Sequence, residues 1–265
     1  MRVFISADIE GISGTVSWPQ IEKDPTTYAA ACREMTREVA AACEGAIAAG
    51  ADYIMVNDAH DVGLNLDMEG LPACVELVRG SSGSPWSMAY GIQEGFDAAM
   101  FVGYHRAASL GGNPLSHTFS TKNHRVTLNG KPCSEFTIYS YAAAMAGVPT
   151  VLVTGDEMLC RDCMGTHPLL KTAAVKRGEG GASIGLSPQR AAQTIRAAAQ
   201  AALSQDLSKG LISLPEEFTL EITYKVHTDA WRASSFPGFS LVDDTTVRMT
   251  TKNYYDVLTA VLWLC

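Results

Sequence analysis

Acidic and histidine residues follow three apolar segments of the sequence, at the points where these segments give way to loops. Asp8 and Glu10 come directly after residues 2–7. His60 follows the second segment, in VNDAH, and His105 follows the third, in VGYH. Each residue alone has an ordinary explanation, such as a cap, a loop contact or a surface imidazole. Carboxylate and imidazole groups suit Zn²⁺, with Mn²⁺ or Co²⁺ also possible, so their shared placement predicts a metal site.

Two further candidates lie downstream of these three segments. His117 is in the loop LGGNPLSHTFS, and Glu135 begins the helix after a predicted hairpin. A carboxylate at a helix N-terminus also has a structural explanation, because it interacts favourably with the helix dipole. A pair of divalent ions needs a shared carboxylate and further ligands, and can clamp the attacking oxygen and the developing oxyanion. Such a pair could be held by Asp8, Glu10, His60, His105 and Glu135.

Other groups are weaker candidates. A fourth apolar segment ends in VTGDE, so Asp156 and Glu157 are considered as ligands or as support for ligands. Cys160 and Cys163 form a single CxxC without a second pair, which favours ordinary thiols near a helix start over a redox or structural-metal role. The remaining histidines have no partner pattern and are predicted to be ordinary surface residues: His124, His167 and His227.

Four short apolar runs predict the strands that would position these residues. They are continuous rather than alternating, which is typical of parallel strands covered on both faces. They span residues 2–7, 53–57, 98–104 and 150–155. Helices are predicted at 27–49, after a turn at Asp24–Pro25, at 135–146 and at 188–203. This alternation predicts an α/β fold, a three-layer Rossmann-like arrangement around a mainly parallel sheet, with ligands beyond the carboxyl ends of its strands.

Two parts of the chain depart from this alternation. Asn129–Gly130, between two extended runs in RVTLNGKPCSEF, predicts a hairpin. The tail reads strand, helix, strand and helix, the last beginning near Tyr254, which predicts a smaller C-terminal α+β lobe. With LPEEF as the junction, we expect an α/β core carrying the metal site over residues 1–213 and the smaller lobe over residues 214–265.

The composition restricts the class of protein. The chain has 265 residues, is 47% hydrophobic and 18% charged, and so is typical of a globular fold. Its net charge of −8 argues against nucleic-acid binding, which needs a basic surface. Neither a signal peptide nor an apolar segment long enough to span a membrane is expected. The odd count of 7 cysteines favours a reduced, cytoplasmic protein.

Several motifs, in the same order, resemble the DppA-type zinc-dependent D-aminopeptidase family. SADIEGISG resembles the N-terminal S-x-D-x-E-G motif of that family, and the similarity continues through VNDAH, VGYH, LSHTFS, LNGKPCSEF and LVTGDE. The resemblance is strong over about the first 160 residues and looser in the tail. It implies two zinc ions bridged by Asp8, with Glu10 and His60 completing one site. His105 and Glu135 would complete the other.

The same resemblance implies a function. His117 would be the catalytic histidine, close to the metals without being a ligand. The family removes an N-terminal residue, typically D-configured, from short peptides, and its members form homo-oligomeric rings of ten subunits. Asp156 and Glu157 are not ligands in this family, which lowers their standing as candidates.

Two other functions remain open on the sequence alone. A dinuclear metal phosphoesterase uses the same ligand chemistry, although neither a phosphate-binding glycine loop nor a cluster of basic residues lies beside the ligands. A non-catalytic module that binds a small molecule or a peptide would need neither the metals nor a proton transfer at His117. Metal content and peptidase turnover would discriminate between these alternatives.

Overall fold

The computed structural model describes residues 1–22, 24 and 26–265. In this part of the chain the β-strands are β1 (Arg2–Ala7), β2 (Tyr53–Asp58), β3 (Val75–Val78), β4 (Ala98–Tyr104), β5 (Asn123–Leu128), β6 (Lys131–Pro132), β7 (Thr150–Asp156), β8 (Lys171–Glu179), β9 (Ala182–Gly185), β10 (Phe218–Tyr224), β11 (Ser240–Leu241) and β12 (Thr246–Thr251). The α-helices are α1 (Tyr28–Ala48), α2 (Glu135–Met145), α3 (Glu157–Cys163), α4 (Pro188–Leu203), α5 (His227–Ala233) and α6 (Tyr254–Leu264).

The central sheet has seven strands in the order β3-β2-β1-β4-β7-β8-β9. All neighbouring pairs are parallel except β8 and β9, which form an antiparallel hairpin. The chain builds outwards from β1 in one direction through β2 and β3, and in the other through β4 and β7. The strand order therefore reverses between β1 and β4, and a ligand crevice is expected beyond the carboxyl ends at such a point.

The central sheet is covered on both faces, which explains the continuous apolar runs. Val3 and Ile5 of β1 belong to the core that includes residues of α1 and α4. Phe4, between them, belongs to the opposite core, together with residues of α2, α6 and the second sheet. Because successive side chains of a strand point to opposite faces, a strand covered on both sides favours apolar residues at consecutive positions.

A second sheet is antiparallel and has the order β11-β12-β10-β5-β6. Its β5–β6 hairpin turns at Asn129 and Gly130, whose φ angles are 51° and 75°. Positive φ at both positions is what a tight type I′ turn requires, and the predicted hairpin is confirmed. Tyr254 at the start of α6 donates a hydrogen bond to the carbonyl of Ile138 in α2 at 2.7 Å, which ties the tail to the core.

The second sheet bears on the expected division of the chain. It combines β5 and β6, which precede residue 213, with β10, β11 and β12, which follow it. The smaller α+β unit of the tail is therefore completed by a hairpin from the middle of the chain. The division into residues 1–213 and 214–265 stays a prediction.

The predicted strands and helices agree with the structure to within about two residues. Among the strands of the described residues, β3, β8, β9 and β11 were not predicted, and no bounds were predicted for α3. The sequence of β8, KTAAVKRGE, is too polar to indicate a strand, because much of it faces solvent near one edge of the sheet. Of the predicted turn at Asp24–Pro25, Pro25 lies outside the described residues. Over those described residues, the helices are all too short or too polar for a transmembrane span.

Candidate metal centre

Asp8 lies at the centre of the predicted site. It follows β1 directly, and its Oδ1 accepts a hydrogen bond from the amide of Ile9 at 2.9 Å. The same oxygen is 3.5 Å from Nδ1 of His60, whereas Oδ2 is 3.5 Å from Nε2 of His105. One buried carboxylate thus faces two imidazoles that come from the ends of β2 and β4. This arrangement follows from the pairing of β1 with both of those strands.

The backbone around Asp8 allows the two strand ends to approach closely. Gly103 of β4 has a φ of 76°, and a Cβ atom there would lie 2.2 Å from the carbonyl oxygen of Asp8. Any side chain at this position would therefore separate the strand ends. The glycine brings His105 within reach of the carboxylate of Asp8.

Glu10 and His60 form one side of the cluster. Oε1 of Glu10 is 3.1 Å from Nδ1 of His60. The other ring nitrogen of His60 is 3.3 Å from the carbonyl oxygen of Ile21, to which it can donate a hydrogen bond. That contact leaves the lone pair of Nδ1 directed towards the carboxylates, as a metal ligand requires.

His105 and Glu135 form the other side. Oε2 of Glu135 is 3.4 Å from Nε2 of His105, and Nδ1 of His105 is 3.0 Å from the carbonyl of Arg106. Ser134 caps α2 by accepting a hydrogen bond from the amide of Thr137, so Glu135 is held in the first turn. The other carboxylate oxygen of Glu135, Oε1, accepts a hydrogen bond from the amide of Phe119 at 2.7 Å. Phe119 makes this contact with a φ of 60°, an uncommon conformation for an aromatic residue.

His117 lies over the cluster. Its ring stacks on that of His105, with centroids 4.4 Å apart and an interplanar angle of 3°. Nε2 is 3.7 Å from Glu135 and 3.9 Å from Glu10, which is farther than the corresponding contacts of His60 and His105. Nδ1 is 2.8 Å from the carbonyl oxygen of Leu115. The imidazole is therefore fixed in orientation, with Nε2 directed towards the carboxylates.

The six predicted site residues converge, and three overlapping groups of them can each contribute ligand atoms within 4.8 Å of one another. The groups are Asp8 with Glu10 and His60, Asp8 with His105 and Glu135, and Glu10 with His105 and His117. Asp8 belongs to two groups, as a bridging carboxylate would. The geometry also admits His117 as a ligand.

Buried polar atoms without hydrogen-bond partners mark the same place. Over the described residues, they include Oδ2 of Asp8, Oε2 of Glu10 and Nε2 of His105. A buried polar atom without a partner costs about 1–3 kcal/mol, and more if the group is charged. A divalent cation among these atoms would satisfy them, and zinc accepts this set of ligands. The residues present therefore fit a zinc centre.

The pKa values of the site histidines show that the carboxylates stabilise positive charge next to them. Burial opposes the charged form of His60, but Glu10 and Asp8 together outweigh it and raise the pKa of His60 to about 12. For His105, burial is likewise outweighed by Glu135, Asp8 and Glu10 together, which raise the pKa to about 10. Burial and the charge of Glu10 raise the pKa of Asp8 well above its usual value. Without a metal, protons on the imidazoles would supply part of the positive charge that balances the carboxylates.

A cavity of about 540 Å³ opens beside the cluster. Its walls combine site residues with polar and apolar side chains that include Trp18, Ile21, Ser87, Met88, Phe119 and Thr121. The indole of Trp18 meets the ring of His117 edge-on at 5.3 Å. The cavity places bound molecules next to the carboxylates and to His117.

The weaker candidates lie outside the cluster. Asp156 is fully buried, and its carboxylate accepts hydrogen bonds from the amides of Arg106 and Leu159. Glu157 pairs with Arg161 on the surface of α3, at 2.6 Å. Cys160 is a buried free thiol in the same helix, and burial raises its pKa to about 12.

His167 departs from its prediction. It was expected to be an ordinary surface residue, but it is buried, with only 5% of its surface exposed. Its ring meets that of Phe136 edge-on at 5.7 Å. The tertiary packing of the loop after α3 covers it, and its sequence neighbourhood gave no sign of this.

Sequence reasoning also missed polar residues behind the metal-facing groups. Lys176 of β8 donates to the carbonyl of Glu10, as does the side-chain amide of Asn113. A lone lysine in a polar strand and an asparagine in a loop carry no pattern that would have indicated this role. Only the pairing of β8 with β7 brings Lys176 into the interior.

Comparison with known proteins identifies the family. A family described as D-aminopeptidase matches residues 1–263 of the chain. The chain belongs to this D-aminopeptidase family. The family resemblance and the enzyme class predicted from the motifs are therefore confirmed.

Individual members of the D-aminopeptidase family agree in sequence and in fold. A D-aminopeptidase of Bacillus subtilis (strain 168) is 28% identical over 264 residues, covering 99% of this chain and 96% of the relative. The solved structure of a Zn-dependent D-aminopeptidase, DppA from Bacillus subtilis, described as a self-compartmentalizing protease, superposes with a TM-score of 0.92. That match has 28% identity and covers 100% of this chain and 96% of the other. The predicted fold class is thereby confirmed.

Proposed function

We propose that the protein is a zinc-dependent aminopeptidase that removes the N-terminal, D-configured residue from short peptides, with two zinc ions in each subunit. The observation that carries this proposal is the position of Asp8, whose two oxygens face His60 and His105 at 3.5 Å each. A carboxylate between two imidazoles is the arrangement that a bridging ligand needs. Family membership supplies the reaction class.

The ligands divide into two sets around Asp8. Glu10 and His60 would complete one site, and His105 and Glu135 the other. The contacts within these sets are the short ones, 3.1 Å for the first pair and 3.4 Å for the second. Zinc bound here would supply a Lewis acid and would lower the pKa of a coordinated water to about 7. Mn²⁺ or Co²⁺ could replace it with the same ligand types.

His117 would transfer the proton. Burial and the charge of neighbouring His105 lower its pKa, which favours the neutral imidazole. Its contact with the carbonyl of Leu115 leaves the lone pair on Nε2, next to the cavity. At that atom it can take a proton from the nucleophile and give one to the leaving amine. Proton transfer of this kind contributes about 10²–10⁴-fold to a rate.

The carboxylates also favour a peptide with a free amino group. The net charge of −8 and the acidic cluster attract an ammonium group and disfavour an anionic substrate in the absence of metal. We expect the cavity of about 540 Å³ to admit a short peptide and to exclude a folded protein. A short peptide is the kind of substrate that the D-aminopeptidase class implies.

We further propose a homo-oligomer located in the cytoplasm, with a ring of ten subunits as the expected assembly. The support is the solved relative, which is described as a self-compartmentalizing protease. Native mass spectrometry of the purified protein tests the subunit number directly. A monomer at micromolar concentration would contradict the assembly without bearing on the metal centre, and cell fractionation tests the location.

The central experiment measures zinc content and turnover on the same sample. Elemental analysis should give two zinc ions per chain. A panel of matched D- and L-dipeptides, with D-alanyl p-nitroanilide and p-nitrophenyl phosphate beside it, should show hydrolysis of the D-aminoacyl substrates. Hydrolysis of the phosphate ester alone would replace the proposal by a phosphoesterase. Metal-bound protein without turnover on any substrate would indicate a binding module.

A further inference from the structure

Lys176 is a buried charge that the proposed reaction does not use. It lies in β8, only 4% of its surface is exposed, and its ammonium group donates hydrogen bonds to the carbonyls of Glu10 and Thr15. The bond to Thr15 is 2.6 Å long. Both carbonyls belong to the loop after β1 that carries the side chain of Glu10. A single ammonium group thus holds this loop at two points.

Asp156 is the register partner of Lys176 in the pairing of β7 with β8. Its Oδ2 accepts hydrogen bonds from the amide of Arg106 at 2.9 Å and from the side chain of Asn113 at 3.3 Å. The same Asn113 amide group donates to the carbonyl of Glu10 at 3.0 Å. Asp156 is therefore linked to the loop of Glu10 through Asn113, one of the two groups that bind the carbonyl of Glu10.

The network also reaches the second metal site. The amide of Arg106 binds Asp156, and the carbonyl of Arg106 faces Nδ1 of His105 at 3.0 Å. The orientation of the His105 ring is thus tied to Arg106, the residue whose amide Asp156 holds. Lys176 and Asp156 together fix backbone groups next to one proposed ligand in each half of the centre.

Stability alone does not account for a lysine here. Burying an ammonium group costs several kcal/mol, and replacement of a buried ion pair by apolar residues is often neutral or stabilising. Ala173 and Val175 in the same strand are buried and apolar, so the interior around β8 accepts apolar side chains. An apolar residue of similar length could fill this position, but it could not donate hydrogen bonds to the carbonyls of Glu10 and Thr15.

We propose that Lys176, supported by Asp156 and Asn113, is a positioning residue that holds Glu10 in the conformation needed to bind zinc. This inference rests on the proposed function. Groups that orient metal ligands typically change metal affinity by about 10–100-fold when they are lost. The zinc ion held by Glu10 and His60 should be the one affected.

The test is Lys176→Met, which keeps the length of the side chain and removes the ammonium group. The affinity of each zinc ion is measured by competition with a chelating dye, beside thermal unfolding of the metal-free protein. We expect one of the two ions to bind about 10–100-fold more weakly, with activity recovering as free zinc is raised. The matched control is Lys171→Met, an exposed lysine of the same strand, which should leave both affinities unchanged.

The outcomes separate the two proposals. If the wild-type protein does not bind two zinc ions, the proposed function fails. If it does, and folded Lys176→Met binds both ions as tightly as the wild type, the positioning role is overturned. A lowered melting temperature with unchanged zinc affinities overturns it equally. Should Lys176→Met fail to fold, Asn113→Ala removes the other donor to the carbonyl of Glu10, and unchanged zinc binding there overturns the role.

Discussion

Two cavities of similar size lie on opposite sides of the first turn of α2. The cavity at the metal centre measures about 540 Å³ and includes Glu135 in its wall. The second cavity measures about 580 Å³ and is lined by the residues before and after it, Ser134, Phe136 and Thr137. The first turn of α2 therefore separates the cavity at the candidate metal centre from a second cavity for which no reaction is proposed. Size alone does not distinguish them.

The polar atoms of the two cavities do distinguish them. At the metal centre, buried oxygens of Asp8 and Glu10 lack hydrogen-bond partners within the described structure. In the second cavity, Ser140 donates to the carbonyl of Thr137, and Arg106 forms an ion pair with Asp162 at 2.6 Å. Among the described residues that line this cavity, the buried polar atom without a partner is Nε2 of His167, which is neutral at pH 7. The comparison teaches that a cluster of unsatisfied buried carboxylate and imidazole atoms, rather than volume, distinguishes the candidate metal centre.

The histidines of the two cavities show the same contrast. His105 faces the carboxylates of Asp8 and Glu135, and its pKa is raised to about 10 despite burial. His167 lines the second cavity, and burial lowers its pKa to about 4. Both imidazoles are buried, yet in the absence of metal their charge states at pH 7 are opposite. The carboxylates account for the difference.

Replacing Asp8 by alanine should have the largest effect. It removes the proposed bridge, so we expect loss of both zinc ions and a fall in kcat of about 10⁴-fold or more, since the metal-assisted reaction would be lost. Elemental analysis and turnover on D-alanyl p-nitroanilide provide the measurement. The matched control from the second cavity is Asp162→Ala, which should retain both ions. Two ions still bound to the Asp8 variant would contradict the bridging role.

Replacing His117 by alanine should have the next largest effect. Both zinc ions should remain, whereas kcat should fall by about 10²–10⁴-fold because the proton-transfer group is gone. His124→Ala changes an exposed histidine and serves as the control. Turnover close to that of the wild type would show that His117 does not transfer the proton. Loss of one zinc ion would instead make it a ligand.

The pH dependence of stability should distinguish the second cavity. Because the pKa of His167 is about 4 in the fold and 6.5 in the unfolded chain, the unfolded state binds the proton first as pH falls. Stability should therefore be lost between about pH 6.5 and 4, by at most about 3 kcal/mol. His167→Phe should remove this loss, as measured by urea unfolding across the range. His227→Phe, an exposed control, should not, and an unchanged profile for His167→Phe would refute the assignment.

The smallest effect is expected for Ser140→Ala in the second cavity. The hydroxyl of Ser140 binds the carbonyl of Thr137 within α2, and alanine is the better helix former. The free energy of unfolding should change by less than about 0.5 kcal/mol, and zinc content and kcat should not change. A clear loss of activity would mean that the second cavity communicates with the metal centre, and the contrast drawn between them would need revision.

Much of the site was predictable because its signals are local. Asp8, His60 and His105 each follow a short apolar run, and such runs predict strands that are buried on both faces. Ser134 before Glu135 is a good N-cap, so the start of α2 was also readable. Parallel strands place their carboxyl ends at the same edge of a sheet, so the sequence alone predicts that these residues meet.

The sequence by itself determined which residue types would meet at one edge of the sheet, because strand and helix periodicity are properties of neighbouring residues. Only the tertiary structure decided which oxygen faces which imidazole, the burial of Lys176 and His167, and the joining of β5 with β10. These features depend on pairing between segments that are distant along the chain. Register and order in that pairing are set by the packing of the whole core, and a local pattern does not record them.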